Sequence, residues 1–398
     1  MSTPVPPSGR VVVFGATGYT GDLAARALVA VGTRPVLAGR DVVRLGHLAA
    51  ELGGPEAPLE VGVADATDPV SVAGLVDRGD VLLTTVGPFS RWGWAALEAV
   101  LGAGAHYVDS TGEGGFIRAV FEKYGPRAQA SGSVLLTAFG YDFVPGNLAA
   151  ALALDRVRAA GAEPATVDIG YFVTGRVGAR AVSGGTRASV LALVGRPGYA
   201  FDGGHLVERR PGSEVVWTTA GGRRRPALAI PASEQFTLPR LAPSLGTIRV
   251  GLGWLGGATP LVALASRAAG AVGVALDLVP GARRTAARVT APLVAPFARG
   301  SSGGPDAAQR ARTGSLVAAD VRDPAGHRLG HVELTGPNPY TLTGDLLAWA
   351  ARAVADGSAR AAGAVGPVEA FGLEQLTAAA ATMGLAERRY PGSAWRAT

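Results

Sequence analysis

The sequence predicts an α/β fold: an N-terminal Rossmann-type, doubly wound parallel sheet, followed by a second α+β domain built on a mainly antiparallel sheet. Three observations predict it. Short apolar runs alternate with helical patterns through residues 1–145. The first run ends in a glycine-rich turn that opens a helix. Beyond that region the runs alternate apolar with polar residues, the pattern of strands covered on one face.

The elements follow in order. Arg10–Phe14 reads as a fully buried strand, and Thr20–Val31 as a helix with Leu23, Ala27, Leu28 and Val31 on one face. Arg34–Ala38 is a second strand, and Val42–Leu52 a second helix that Gly53-Gly54 ends. Leu59–Ala64, Asp80–Thr85, His106–Asp109 and Ser133–Thr137 complete six strands; Pro69–Val76, Ala95–Leu101 and Phe116–Ala130 are the helices between them. Strands separated by helices need crossovers, and right-handed crossovers build a parallel sheet. In the second region Thr166–Thr174, Trp217, Leu228–Ile230, Thr247–Val250, Leu316–Val321 and Gly330–Leu334 read as strands, then Thr343–Asp356 and Leu373–Met383 as helices. The expected division is a dinucleotide-binding domain over 1–145, a substrate and dimerisation domain over 146–336, and C-terminal helices over 337–398 that pack back on the first domain.

Composition narrows the chemistry. The chain has 398 residues, 48% hydrophobic and 17% charged, which suits two packed domains and argues against disorder. Cysteine is absent, which excludes disulfides, thiol nucleophiles, thiolate zinc sites and iron–sulfur ligation. Lys123 is the single lysine, so there is no Walker A loop; the Tyr–Lys pair of short-chain dehydrogenases would need tyrosine where Ala119 stands. The formal charge of +6 reflects either an arginine-rich composition or a basic face for an acidic partner. Arg223-Arg224-Arg225, framed by Gly221-Gly222 and Pro226, reads as an exposed turn. Basic residues are not interleaved with aromatics, so no nucleic-acid partner is expected.

The first ten residues lack the apolar core of a signal peptide, and no long charge-free apolar stretch occurs. The expectation is a cytoplasmic protein without a transmembrane segment. The most apolar region, 250–296, is broken by Arg267, Asp277 and Arg283-Arg284, and suits a buried helical hairpin or the wall of a lipid-sized pocket.

The strongest motif is Gly15-Ala16-Thr17-Gly18-Tyr19-Thr20-Gly21 directly after the first strand. Gly15 permits the tight turn, Gly18 lets the backbone approach a pyrophosphate, and Gly21 lets the helix lie close to the strand. Thr17, Tyr19 and Thr20 share that loop. The second strand ends Gly39-Arg40-Asp41, with arginine where an NAD site usually carries an acid. A guanidinium can fork onto a 2′-phosphate, so NADP(H) is the expected cofactor; the other reading gives the ribose to Asp41. Asp65 at the third strand end suits the adenine amino group or the cap of the next helix. Val86-Gly87-Pro88-Phe89 follows the fourth strand, where nicotinamide should lie, and Asp109 and the loop Tyr141-Asp142 follow the fifth and sixth.

Together with Ala38-Gly39-Arg40, Tyr107-Val108-Asp109-Ser110-Thr111-Gly112-Glu113, Gly140-Tyr141-Asp142-Phe143-Val144-Pro145-Gly146-Asn147, Ser183-Gly184-Gly185-Thr186 and Gly336-Pro337-Asn338-Pro339-Tyr340-Thr341-Leu342-Thr343, these motifs resemble the saccharopine dehydrogenase-like oxidoreductases. Within that family the likeness is nearest to the trans-acting enoyl reductases of actinobacterial lipid and polyketide synthesis. The resemblance implies an NADP-type cofactor and hydride transfer, and leaves the substrate open.

Reduction of a polarised C=C needs a hydride beside one carbon and a proton donor near the other. Tyr141 and Asp142 are the catalytic candidates, against a loop-ordering role for Tyr141 and a helix-capping role for Asp142. His327 and His331 have a helical metal spacing, but their surroundings predict a strand hairpin, so no metal site is expected. The reading that results is an NADPH-dependent enoyl reductase acting on an apolar acyl or polyketide-type substrate, free or carrier-bound. The alternatives are a C=N reductase with carboxylate-binding arginines such as Arg176, Arg180 or Arg187, and a non-catalytic NADP-binding scaffold. A homodimer is one assembly that an antiparallel sheet with an open face permits.

Overall fold

The computed structural model describes residues 9–175, 198–254, 256–264, 266–268 and 303–388. The chain divides into two compact units, Met1–Thr111 with Phe116–Val144 and Tyr340–Met383, and Gly112–Gly115 with Pro145–Pro339 and Gly384–Thr398. The Arg176, Arg180, Arg187 and Ser183–Thr186 positions lie outside the described residues, as does most of the apolar 250–296 segment.

The first unit holds the parallel sheet. Its strands are β1 (Val11–Phe14), β2 (Val36–Gly39), β3 (Val61–Val63), β4 (Val81–Thr84), β5 (His106–Asp109) and β6 (Val134–Leu136). Their order is β6-β5-β4-β1-β2-β3, reversing direction at β1, and every pair is parallel. Reversal at β1 opens a crevice at the strand carboxyl ends, where such folds take ligands. Val12, Val13, Leu82, Leu83, Val108 and Leu135 are fully buried, which is why these runs read as unbroken apolar stretches.

Three details differ from the sequence expectation. A seventh strand, Gly363–Ala364, pairs parallel with β6; two residues are too few to carry a periodic signal. The helix after β4 starts six residues early: α4 spans Phe89–Ala103, with Pro88 as its N-cap at φ −65. The single helix expected over 116–130 is instead α5 (Gly114–Ala119), a π-helical turn (Val120–Tyr124) and α6 (Gly125–Ser131). Pro126 has no N–H to donate, and the wider turn precedes it.

The second unit carries a nine-stranded sheet of order β10-β11-β12-β7-β13-β14 and then Ala386–Glu387, with β8 on β12 and β9 on β8. The strands are β7 (Thr166–Gly175), β8 (Gly198–Asp202), β9 (His205–Arg209), β10 (Val215–Ala220), β11 (Arg223–Ala229), β12 (Thr247–Leu252), β13 (Thr313–Arg322) and β14 (Arg328–Gly336). Among the described residues only β7 and β12 pair in parallel, so the sheet is mainly antiparallel as expected. Register sets Arg249 opposite Asp168, Asp168 opposite Asp320, and Asp320 opposite His331. Paired residues share a face, so one charged row crosses four strands.

Arg223–Arg225 are a correction. They open β11 rather than forming a turn; the turn is Gly221-Gly222, with φ of 64° and 72°. Two consecutive left-handed residues are what a two-residue hairpin needs. The same device, Gly203-Gly204, joins β8 to β9. His327 and His331 do lie on a hairpin, at the β13–β14 turn and on β14.

Candidate functional site

The glycine loop is built by close approach. Gly15 stands at φ +90, and its N–H donates to Ala38 O at 2.8 Å, tying the loop to β2. A Cβ at Gly21 would lie 2.1 Å from Gly15 O, so α1 (Tyr19–Ala30) packs against the turn only with glycine there. Gly18 is the N-cap of α1 and supplies no side-chain cap. The next two helices are satisfied differently. Asp41 caps α2 (Val42–Gly53) by accepting from Arg44 N, and Asp68 caps α3 (Pro69–Ala73) by accepting from Val70 N. The first turn of α1 therefore presents amides and the positive end of a twelve-residue helix without a side-chain oxygen over them.

The strand tips around this loop carry the other expected residues. Gly39 ends β2 and Arg40 is exposed just beyond it. Asp41 Oδ1 accepts the cap hydrogen bond of α2 from Arg44 N. Asp65 accepts from Thr67 N and Thr67 Oγ1, both at 2.8 Å, which lowers its pKa; the charge of Arg40 adds to that. It does not cap α3. Val86 flanks Gly15, since a Cβ on that glycine would lie 2.9 Å from Val86 Cγ2. Gly87 and Pro88 are exposed, and Phe89 is buried against Phe116.

Asp109 sits inside the fold. Its Oδ1 accepts from Thr111 N and Ala138 N, and its Oδ2 from Thr137 Oγ1, so the carboxylate stitches the β5 and β6 loops together. Burial pushes its pKa up to about 6 against those hydrogen bonds.

Tyr141 and Asp142 lie on the loop after β6. The Tyr141 phenol is buried, and burial, then the Asp142 charge, raises its pKa well above the usual 10. Burial alone raises Asp142 to about 6, and its Oδ1 is buried without a hydrogen-bond partner. That oxygen makes no cap for α7 (Val144–Ala159), the other role weighed for Asp142. Farther along the same motif, Gly146 N donates to Tyr171 OH, which donates to Glu234 Oε1 at 2.6 Å, and Asn147 bonds Ser233 and Thr237.

Sequence reasoning missed three contributors. Arg44 Nη2 donates to Thr17 O at 3.0 Å, bracing the glycine loop from α2. Tyr340, at the start of the helix Pro339–Ala355, meets Tyr19 edge-on at 5.3 Å. Thr343 in the same turn accepts from Tyr141 N. Arg44 repeats Arg40 at a spacing of four, and Tyr340 and Thr343 both lie within the Gly336–Thr343 motif, but each contact depends on the tertiary fold.

The parallel sheet, its glycine loop and the second mixed sheet define an α/β protein of the saccharopine dehydrogenase fold. A saccharopine dehydrogenase (L-Glu forming) from Saccharomyces cerevisiae superposes with a TM-score of 0.60 at 13% identity, covering 96% of this chain and 99% of that one. The curated relatives are more particular. A trans-acting enoyl reductase of Mycobacterium tuberculosis is 37% identical over 140 residues, 35% of this chain and 34% of the relative. That of Mycobacterium leprae is 38% identical over 140 residues. A further Mycobacterium tuberculosis protein, provisionally assigned the same activity, is 34% identical over 194 residues, 48% of this chain and 46% of the relative. The chain thus spans less than half the length of these relatives. No family model matches it. Both resemblances read from the motifs, to saccharopine dehydrogenase-like proteins and to trans-acting enoyl reductases, are borne out.

Proposed function

We propose that the chain is an NADPH-dependent reductase that delivers hydride to the polarised C=C of an enoyl group on an apolar acyl or polyketide-type substrate, free or carrier-bound. The observation that carries the reading is the uncapped first turn of α1 behind Gly15, Gly18 and Gly21. A pyrophosphate supplies the anion such a turn lacks. The exposed Arg40 at the tip of β2 supports a 2′-phosphate, and hence NADPH over NADH. The relatives named for enoyl reduction support the substrate class.

The residues present fit the coenzyme. Gly15, Thr17, Gly18, Tyr19 and Thr20 would hold the diphosphate, Gly39, Arg40 and Asp65 the adenosine end, and Val86 to Phe89 the nicotinamide end. When bound, the coenzyme supplies the hydride. The protein's part is to orient it and to provide a proton. Asp142 is the better-matched acid: a carboxyl near pH 6 transfers a proton more readily than a phenol held well above 10. Asp109 holds the neighbouring loops in place from beneath.

The saccharopine dehydrogenase fold favours a second reading, reduction of a C=N bond. The test uses the purified chain. NADPH should raise its melting temperature more than NADH does, and Arg40→Gln should cut that preference roughly tenfold, the worth of one charge-assisted hydrogen bond. NADPH oxidation with enoyl thioesters but not cyclic imines separates the two chemistries. Tight NADPH binding with no oxidation across both panels would leave a scaffold.

A further inference from the structure

We infer that the second unit carries an anion-binding cavity that takes a phosphate monoester, independent of the coenzyme reading. The cavity has a volume of ≈ 450 Å³ and is lined by Asp168, Val215, Trp217, Arg224, Arg249 and Arg322. It lies where the β10–β11 hairpin meets β7, β12 and β13.

Its charges are arranged rather than scattered. Asp168 is 2% exposed and sits at the base. It accepts from Arg249 Nε and Nη2 at 2.6 and 3.0 Å and from Arg322 Nε at 3.2 Å. One carboxylate thus orients two guanidinium groups and neutralises one. Arg224 comes from the hairpin, its guanidinium 4.9 Å from the Trp217 ring centroid, and stacking fixes its plane. Arg224 has no carboxylate partner among the described residues. The lining thus sets three guanidinium groups against one carboxylate, with Arg322 Nη2 also 4.0 Å from Asp320 behind it.

The neighbouring acids are already engaged. Asp320 accepts from Thr219 N and bonds His331; Glu333 bonds the other His331 nitrogen and accepts from Gly221 N. Arg328 lies 3.5 Å from Asp320. Glu214 and Asp202 pair with Arg209.

Forked guanidinium groups match the oxygens of phosphate and carboxylate, and guanidinium groups in excess of carboxylate favour a dianion. The volume exceeds what an inorganic ion needs and falls within the range of small-ligand sites, roughly 300–1,000 Å³. Val215 and the Trp217 ring offer an apolar wall. Together these features describe an organic phosphate with a small apolar or planar body. An aryl or sugar phosphate and a pantetheine phosphate arm share that chemistry.

Calorimetric titration of the full chain with phenyl phosphate, pantetheine 4′-phosphate, inorganic phosphate and phenylacetate tests the inference. Saturable binding of either ester, tighter than phenylacetate and weakened by added salt, is expected; the tighter ester identifies the source. Arg224→Gln, on an exposed strand, should weaken it about tenfold while melting as the wild type does. Arg249→Gln should weaken it too, with some loss of stability because Asp168 is left half-paired. Arg40→Gln should leave it unchanged. No saturable binding overturns the proposal, as does equal affinity for phenylacetate. Binding that survives Arg224→Gln but fails in Arg40→Gln assigns the phosphate to the coenzyme loop and overturns it as well.

Discussion

The amide of Tyr141 donates to the hydroxyl of Thr343 across 3.0 Å, joining residues 202 positions apart in the chain. The helix turn that carries Thr343 also places Tyr340 against Tyr19. One turn near the end of the chain therefore braces both the glycine loop and the loop of the proposed acid. Thr343→Val leaves a part-buried amide without its acceptor and should cost about 1–2 kcal/mol in urea unfolding. Thr343→Ser should recover most of the loss. Equal stability of the valine variant would mean that this contact is idle.

Asp142 makes a sharper case, because stability and activity should move in opposite directions. Its folded pKa of about 6 stands above the ordinary 3.8. The folded state binds the extra proton between those values, so stability falls as pH rises from 3.8 through 6 and stays lower above. Asp142→Asn removes the buried charge and should stabilise the protein at pH 7 by about 1–3 kcal/mol, with little effect below pH 4. The same variant should lower turnover and abolish the limb of the pH–rate profile near 6. A variant that is neither more stable nor slower would deny Asp142 both roles.

Gly21 tests the close packing under the loop. A methyl group there meets the backbone oxygen of Gly15 at 2.1 Å, and a backbone atom cannot swing aside. Gly21→Ala should destabilise by about 1–3 kcal/mol and weaken NADPH binding more than it lowers melting temperature. Differential scanning calorimetry with and without NADPH measures both.

His331 predicts a pH response in the second unit. Burial disfavours its charge, but the hydrogen bonds it donates to Asp320 and Glu333 outweigh that and raise its pKa to about 9, from an ordinary 6.5. Its stabilisation is complete below pH 6.5 and is lost as pH rises through 9. Unfolding free energy should fall by roughly 2–3 kcal/mol across that window. His331→Gln should flatten the slope; an unchanged slope would assign it to another group.

The alternation of buried strands and helices is local, and all six expected parallel strands are present within a residue or two. The glycine loop was legible for the same reason: turn, strand and helix lie within a dozen residues. Tight turns were partly misread. Gly203-Gly204 and Gly221-Gly222 both carry the left-handed hairpin conformation, and the arginines after the second pair are strand residues whose polar side chains mask the strand pattern.

What the chain by itself determined, then, was periodicity and punctuation: which runs are buried, where glycine permits a turn, and hence the parallel and antiparallel layers. Only the tertiary structure decided which side chains meet. It buried Asp109 behind three donors, made Asp41 a helix cap, seated Thr343 on Tyr141, and gathered Arg224, Arg249 and Arg322 around Asp168. Local steric preference is set within a few residues, whereas desolvation and charge pairing depend on neighbours that folding brings from far along the chain.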